Sequence, residues 1–332
     1  MQSNSNSPGG VQNKCMYEKK TVLKQSCSSV FSSAGVKTVQ VGKPDVDEFV
    51  HVEPVIKKLP DSLTPDQKEK IVELIKKNSD LFSKHDFDVG CTDFVTVSIN
   101  IDSHPPISEP LRRHAHVHLD VIDETIDKMI EGDIVEPCIS EWAAHLVDVP
   151  KKDDQGRPAT PRVIDFWKLN AVIYKDKYPI PNTNDCLQSL SNVQWLSSID
   201  LSNSFYQVQI QEEYRDKTAF ITRKGQFRLK RLAMGCCNSP GTFSHLMAMV
   251  VSGLKCCLAF IDDIIVFRSS FDQHLKDVQS LFDRFRLEKL KLKWTKCHLF
   301  QSECEFLGHW VSAEGIGAQK TKVACIQAWP FP

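Results

Sequence analysis

The chain lacks several things that would place it in a familiar class. None of its 332 residues falls in a run of the roughly 18 apolar residues that a membrane span requires. The opening "MQSNSNSPGG" is polar and holds no apolar signal core. The 12 cysteines form no disulfide-like framework and no CxxC pair, which argues for reduced thiols in an intracellular protein. Cys297, Cys304 and His309 therefore make a poor zinc knuckle. The three histidines of "HAHVH" (His114, His116, His118) run into a helix start and read as surface. There is no excess of one charge sign, since the formal net charge is -1, so global charge predicts no polyanion partner. Internal repeats, a βαβ pattern and an Asp-Thr/Ser-Gly protease motif are all missing.

What is present is unevenly distributed. From Asp102 to Asp148 there are 11 Asp/Glu against 3 Lys/Arg. From Arg215 to Arg231 there are 7 Lys/Arg against 1 Asp, and Arg286 to Lys296 adds five basic residues against Glu288. Two readings fit: a basic band lying along nucleic acid, or ordinary solvated faces. Residues 1–59 are rich in Ser, Asn, Gly and Lys and are expected to be a disordered or linker segment. Residues 60–112 read as a helix and an extended lead-in, with Thr64 as N-cap and Pro65 at the first helical position. Leu119, Ile122, Ile126, Met129 and Ile130 form a helical stripe stopped by Gly132. "YQVQI" and "KTAFIT" alternate at period two, as strands do. Asn238 or Ser239 is expected to cap a helix that Pro240 opens, and Ser270 with Gln273 suggests a capping box. The mixture is α+β with an antiparallel sheet.

One stretch demands chemistry. "LAFIDDIIVF", residues 258–267, carries Asp262 and Asp263 between apolar flanks. Asp153-Asp154, by contrast, lies in a hydrophilic turn and is simply solvated. Burying an unpaired carboxylate is costly. Two strands joined at the aspartates solve the problem, because a tight turn lets both side chains approach one site. Asp200 also ends an apolar strand. Three converging carboxylates repel one another and suit a hard divalent cation such as Mg²⁺.

These residues sit in an ordered series of motifs: "GDIVEPCISEWAAHLVDVPKKDD", "VIDFWKLNAVIYKDKYPIPNTNDCLQSL", "LSSIDLSNSFYQVQI", "KTAFIT", "MGCCNSPGTF", "FIDD", "KCHLF" and "EFLGHWVSAEGI". The series resembles the reverse transcriptase region of gypsy-type LTR retrotransposon and retrovirus-related Pol polyproteins, over residues 60–332. The resemblance implies a right-hand polymerase fold in residues 113–332, with fingers at 113–193 and 212–232, palm at 194–211 and 233–320, and a thumb beginning at 321–332. It implies an RNA-directed DNA polymerase that transfers dNMP to a primer 3′-hydroxyl on an RNA or DNA template, using two Mg²⁺ ions with Mn²⁺ as a substitute. By the same resemblance Asp200, Asp262 and Asp263 hold the metals with the carbonyl of Leu201. Phe205 becomes the sugar gate, Met234 and Gly235 line the nucleotide, and Lys296 protonates the leaving pyrophosphate. Lys151, Lys152 and Arg162 contact the triphosphate, and "FLGHW" forms the primer grip. Partners would be template-primer, dNTP, and other Pol domains (RNase H, integrase) or a second subunit, without a membrane. The location would be cytoplasmic, in a virus-like particle, with nuclear access.

The sequence departs from the family at several places. Phe260 stands for Tyr, Trp167 for Arg, Ala233 for Pro and Ser204 for Gly, and the strand before Asp165 is one residue short. Trp167 is expected to disturb fingers contacts. The alternative reading is a truncated or co-opted remnant that at most binds nucleic acid. The chain is expected to stop before the thumb and to be weakly active alone.

Overall fold

The computed structural model describes residues 49–148, 151–152, 158–159, 162–190 and 193–329, all within the unit Asp45–Pro332. Residues 1–48 of the expected N-terminal disorder, and the Asp153-Asp154 turn, lie outside the described residues; residues 49–59, expected as disorder or linker, instead carry the helix Glu53–Lys57 and bury Val52, Val55 and Leu59. Among the described residues, no helix is long and apolar enough to cross a membrane.

The fold is organised by a four-stranded antiparallel sheet. Its order is Cys257–Phe260, Asp263–Arg268, Trp195–Asp200, His298–Gln301. Alternation along the strands sends two sets of side chains to two faces. Ile199, Ile264 and Val266 join the main core, with Phe243, Leu246 and Met247 of helix Ser239–Val250 and Leu281, Phe282 and Phe285 of helix Phe271–Leu287. Leu196 and Ile265 face the other way, onto Cys186, Leu187, Cys304, Phe306 and Val311. Cys304 and Phe306 belong to Glu303–Phe306, which pairs with His309–Ser312 as the expected strand pair, and Gly315–Ala318 completes a three-stranded sheet.

Local sequence accounts for many elements. Helix Pro65–Lys77 starts at Thr64, whose hydroxyl accepts from the Gln67 N–H while the Gln67 side chain accepts from the Thr64 N–H. Helix His116–Glu131 stops at Gly132, buries Ile122, Ile126 and Met129, and opens at His116, so "HAHVH" forms no strand. Other expectations need correction. Ser270 precedes its helix but its side chain caps nothing, and Gln273 turns instead to Asp277. "YQVQI" is only half strand: Ser204–Gln207 is a 3₁₀ turn, and the strand is Val208–Ile210. "KTAFIT" likewise begins as a 3₁₀ turn before the strand Phe220–Thr222.

The basic bands pair with carboxylates. Arg223 pairs with Asp120 and Asp123, Lys224 with Asp127, Arg228 with Glu136 and Asp216, and Lys230 and Arg231 with Asp133. The acidic and basic segments of the sequence thus neutralise each other between helix His116–Glu131 and the three-stranded sheet beside it. The second band behaves the same way. Arg286, Lys289, Lys291 and Lys293 pair with Asp80, Asp93, Asp88 and Asp86 of the lead-in. The lead-in is strapped there by backbone bonds from the Ser83 N–H to the Leu292 carbonyl (2.9 Å) and from the Cys91 N–H to the Lys289 carbonyl (3.0 Å).

Candidate active site

The hairpin of "LAFIDDIIVF" closes with Phe260 opposite Asp263, leaving Ile261 and Asp262 as the two turn residues. Ile261 adopts φ 55°, a left-handed conformation that a β-branched residue rarely takes. The tight turn keeps Asp262 and Asp263 together at the end of the sheet. On the neighbouring strand the register places Asp200 directly opposite Asp263. Directly opposed residues project from the same face of a sheet. Those two carboxylates therefore stand together, on the face shared by Leu196 and Ile265.

Crowding of negative charge shows in their ionisation. Burial, then Asp262 and Asp200, push the Asp263 carboxyl up to about 6. Asp200 is also raised, chiefly by burial, although Lys296 opposes the shift. Lys296 Nζ donates to Asp200 Oδ2 at 3.1 Å. Burial works against its charge, but Asp200, Asp262 and Asp263 outweigh that and raise its pKa.

A cavity of about 410 Å³ opens beside these groups. Asp200, Leu201, Phe205, Met234, Asp262, Lys293 and Lys296 line it on one side; Ile126, Met129, Val163 and Ile164 line it on another. Phe205 sits in the Ser204–Gln207 turn, half-buried, with its ring edge-on to Phe243 at 5.5 Å between centroids. Leu201 is bridged to Leu292 through flanking groups: the Ser202 N–H donates to the Lys291 carbonyl and the Lys293 N–H to the Asp200 carbonyl, both at 2.9 Å. The pairing leaves the Leu201 carbonyl itself outside the ladder. Met234 is exposed at the rim. Gly235 takes φ 100°, which a side chain would strain, and its carbonyl accepts from Asn170 Nδ2 at 2.7 Å.

The triphosphate candidates are divided. Lys151 and Lys152 form a strand opposite Pro158–Ala159, and Arg162 pairs through its backbone with Asp148. Their side chains lie outside the described residues. The strand Arg162–Ile164 keeps a regular register, with Ile164 buried and Val163 on the cavity. Trp167 begins a short helix and is 76% exposed, its N–H donating to Asp165 Oδ1 at 2.9 Å, so its ring displaces nothing from the core.

Sequence reasoning missed two residues. Gln207 is fully buried. Its Nε2 donates to the carbonyls of Ser202 and Lys291 at 2.8 Å, and its Oε1 accepts from the Lys291 N–H at 2.8 Å, which fastens the chain just after Asp200. A glutamine in an apparently alternating strand gave no hint of this. Lys293 was missed too, although its position three residues before Lys296 is the spacing that a 3₁₀ turn places on one side.

Among the described residues, no three carboxylate, imidazole or thiol side chains stand close enough together to hold an ion as they are arranged. The donor set nonetheless fits a hard divalent cation. It consists of oxygen donors from Asp200, Asp262, Asp263 and the Leu201 carbonyl, with more negative charge than Lys296 balances.

The sequence matches the profile of the family described as reverse transcriptase (RNA-dependent DNA polymerase) over residues 149–311. It is 32% identical over 275 residues to the retrovirus-related Pol polyprotein from transposon 297 of Drosophila melanogaster, covering 82% of this chain and 26% of that protein. It is 30% identical over 269 residues to the polyprotein from transposon 412 of the same organism, covering 80% and 22%. The chain thus spans about a quarter of the length of these relatives. Its fold is similar to that of a foamy viral protease-reverse transcriptase solved with an RNA/DNA hybrid, with a TM-score of 0.77 at 21% identity over 85% of this chain and 37% of that one. A related foamy viral structure with double-stranded DNA gives a TM-score of 0.78 at 21% identity, over 91% and 52%.

Proposed function

Given that the chain carries a reverse transcriptase domain homologous to retrotransposon Pol polyproteins over most of its length, we propose that its cavity is a nucleotidyl-transfer site, taking dNTP and a template-primer of RNA or DNA. The observation that carries this reading is the registration of Asp263 against Asp200 at the hairpin tip, with Asp200, Asp262 and Lys296 lining one cavity. Asp200, Asp262 and Asp263, with the Leu201 carbonyl, would hold two Mg²⁺ ions. When bound, such ions lower the pKa of the primer hydroxyl and neutralise the charge of the triphosphate.

The chain's own groups do the rest. The primer 3′-oxygen forms a bond to the α-phosphorus as the bond from that phosphorus to the bridging oxygen breaks. The hydroxyl proton passes to solvent, and pyrophosphate leaves. Lys296, kept charged by the three carboxylates, donates a proton to the departing oxygen. Phe205 presents its ring to the sugar, where a 2′-hydroxyl would collide with it. Lys151, Lys152 and Arg162 are assigned to the triphosphate, and Met234 and Gly235 to the nucleotide and template. Positioning and charge neutralisation provide most of the acceleration in this class of reaction.

The test is primer extension with Mg²⁺ and dNTPs on an RNA template, by the chain alone and joined to the downstream polymerase region of a relative. Incorporation should be lost in Asp262→Asn/Asp263→Asn. Equal incorporation by wild type and variant would remove the assignment.

A further inference from the structure

Of the four basic residues that bind the lead-in strap, only Lys293 also lines the cavity. Its N–H donates to the Asp200 carbonyl at 2.9 Å, and its own carbonyl accepts the Lys296 N–H at 3.0 Å. The turn Trp294–Lys296 thereby sets two lysines on the wall that carries Asp200. Lys296 is committed to Asp200 at 3.1 Å. Lys293 is held more loosely: its Nζ stands 3.5 Å from Oδ1 of Asp86, whose side chain is 76% exposed. A long pair with an exposed carboxylate is readily exchanged for a stronger anion. Asp86 is itself placed by Asn203, another cavity residue, whose Nδ2 donates to the Asp86 carbonyl.

We propose that Lys293 is a second phosphate-binding cation of this cavity, which Asp86 holds until a polyphosphate displaces it. The inference rests on the polymerase reading and adds to it. Lys293 binds the terminal phosphates of the incoming nucleotide, and then the pyrophosphate that leaves, while Lys296 serves the bridging oxygen. Asp86 sets the affinity by competing for the same ammonium group.

The probe is inorganic pyrophosphate with Mg²⁺, titrated into the 332-residue chain by calorimetry. Lys293→Gln should weaken binding about tenfold, the scale of one charge-assisted contact. Lys293→Arg should stay within about twofold of wild type, since it retains the charge. Asp86→Asn should tighten binding about two- to threefold by releasing the competitor, a direction that a merely structural loss would not produce. Binding by Lys293→Gln within about twofold of wild type, weaker binding by Asp86→Asn, or no pyrophosphate binding by the wild-type chain would each overturn the proposal. Failure of the polymerase reading is seen separately, as equal primer extension by wild type and Asp262→Asn/Asp263→Asn, so the two failures are told apart.

Discussion

Asp200 and Asp263 oppose each other across a single rung of the central sheet, with Ile199 paired to Ile264 and Ser198 to Ile265 beneath them. Like charges directly opposite destabilise a sheet; burial first, then the charges of Asp262 and Asp200, raise the Asp263 carboxyl to about 6. A carboxyl whose folded value lies above its unfolded value contributes stability that is complete below the unfolded pKa and disappears as pH rises through the folded one. Without divalent ions the wild-type fold should therefore lose stability between about pH 4 and 6 from this group. Asp263→Asn should melt higher than wild type at pH 8 and no higher at pH 3.5. Thermal melts across this range check the effect, and added Mg²⁺ should narrow the gap at pH 8. An unchanged gap would mean that the ion does not bind there.

The sugar-gate role proposed for Phe205 has a direct test. Its ring is fixed edge-on against Phe243 rather than free to swing. Phe205→Ala should admit ribonucleotides, with the dNTP-to-rNTP ratio of kcat/KM falling by at least about tenfold, since steric exclusion of a hydroxyl disappears with the ring. An unchanged ratio would make Phe205 an ordinary packing residue.

Two glycines should respond differently to alanine. A Cβ at Gly90 would lie 2.0 Å from the Lys289 carbonyl oxygen and 2.6 Å from Gln207 Oε1, so the strap could not seat. Gly90→Ala should cost about 3 kcal/mol or more, at the upper end for overpacking. At Gly235 the nearest atom would be 3.7 Å away, and only φ 100° objects. Gly235→Ala should cost about 1–2 kcal/mol, the cost of left-handed backbone. Denaturant midpoints give both values.

The hairpin and the helix starts were legible because their signals are local. Apolar flanks around two aspartates, Thr64 before Pro65, and Gly132 after a stripe each depend on residues a few places apart. The fate of the charged bands was not legible. Whether Lys289 faces a phosphate or Asp93, 196 residues away, is decided by tertiary approach and has no periodic trace. The same applies to Gln207, whose three bonds go to backbone groups that the fold brings to it. Local pattern also misled at Ser270, where the capping-box spacing is present but the side chain bonds elsewhere.

The pairing of the basic band makes its own prediction. If Arg223 contacted a phosphate, Arg223→Ala would lower the slope of log K against log salt for template-primer binding by about 0.9. Because Arg223 is spent on Asp120 and Asp123, the slope should not change. Stability should change little, as for other exposed ion pairs. Binding isotherms at several salt concentrations separate the two cases.

His274 links the strand that carries Asp200 to the helix beneath it. Its Nε2 meets Ser197 Oγ at 2.8 Å, and the same hydroxyl oxygen accepts the Phe300 N–H at 3.0 Å. The ring is fully buried against Phe300, and its Nδ1 has no partner among the described residues. Burial dominates its ionisation and lowers its pKa to about 4, Arg268 adding to the effect and Asp277 opposing it. A histidine depressed in this way contributes stability that is present above its unfolded value, near 6.5, and lost as pH falls through the folded one. The difference corresponds to roughly 3 kcal/mol at about 1.4 kcal/mol per pH unit. From this group stability should therefore fall as pH drops from 6.5 to about 4, against the opposite slope that Asp263 gives over about pH 4 to 6, so its share is read as the difference between wild type and His274→Phe across that range. His274→Phe should flatten this limb while costing about 1–3 kcal/mol at pH 8, because Ser197 is left with one buried bond fewer. Strand Trp195–Asp200 carries both Ser197 and Asp200, so the variant should also lower kcat more than it raises KM. If the pH limb is unchanged, the imidazole is not the group being titrated, and the acid sensitivity must be sought in the carboxylate pairs instead.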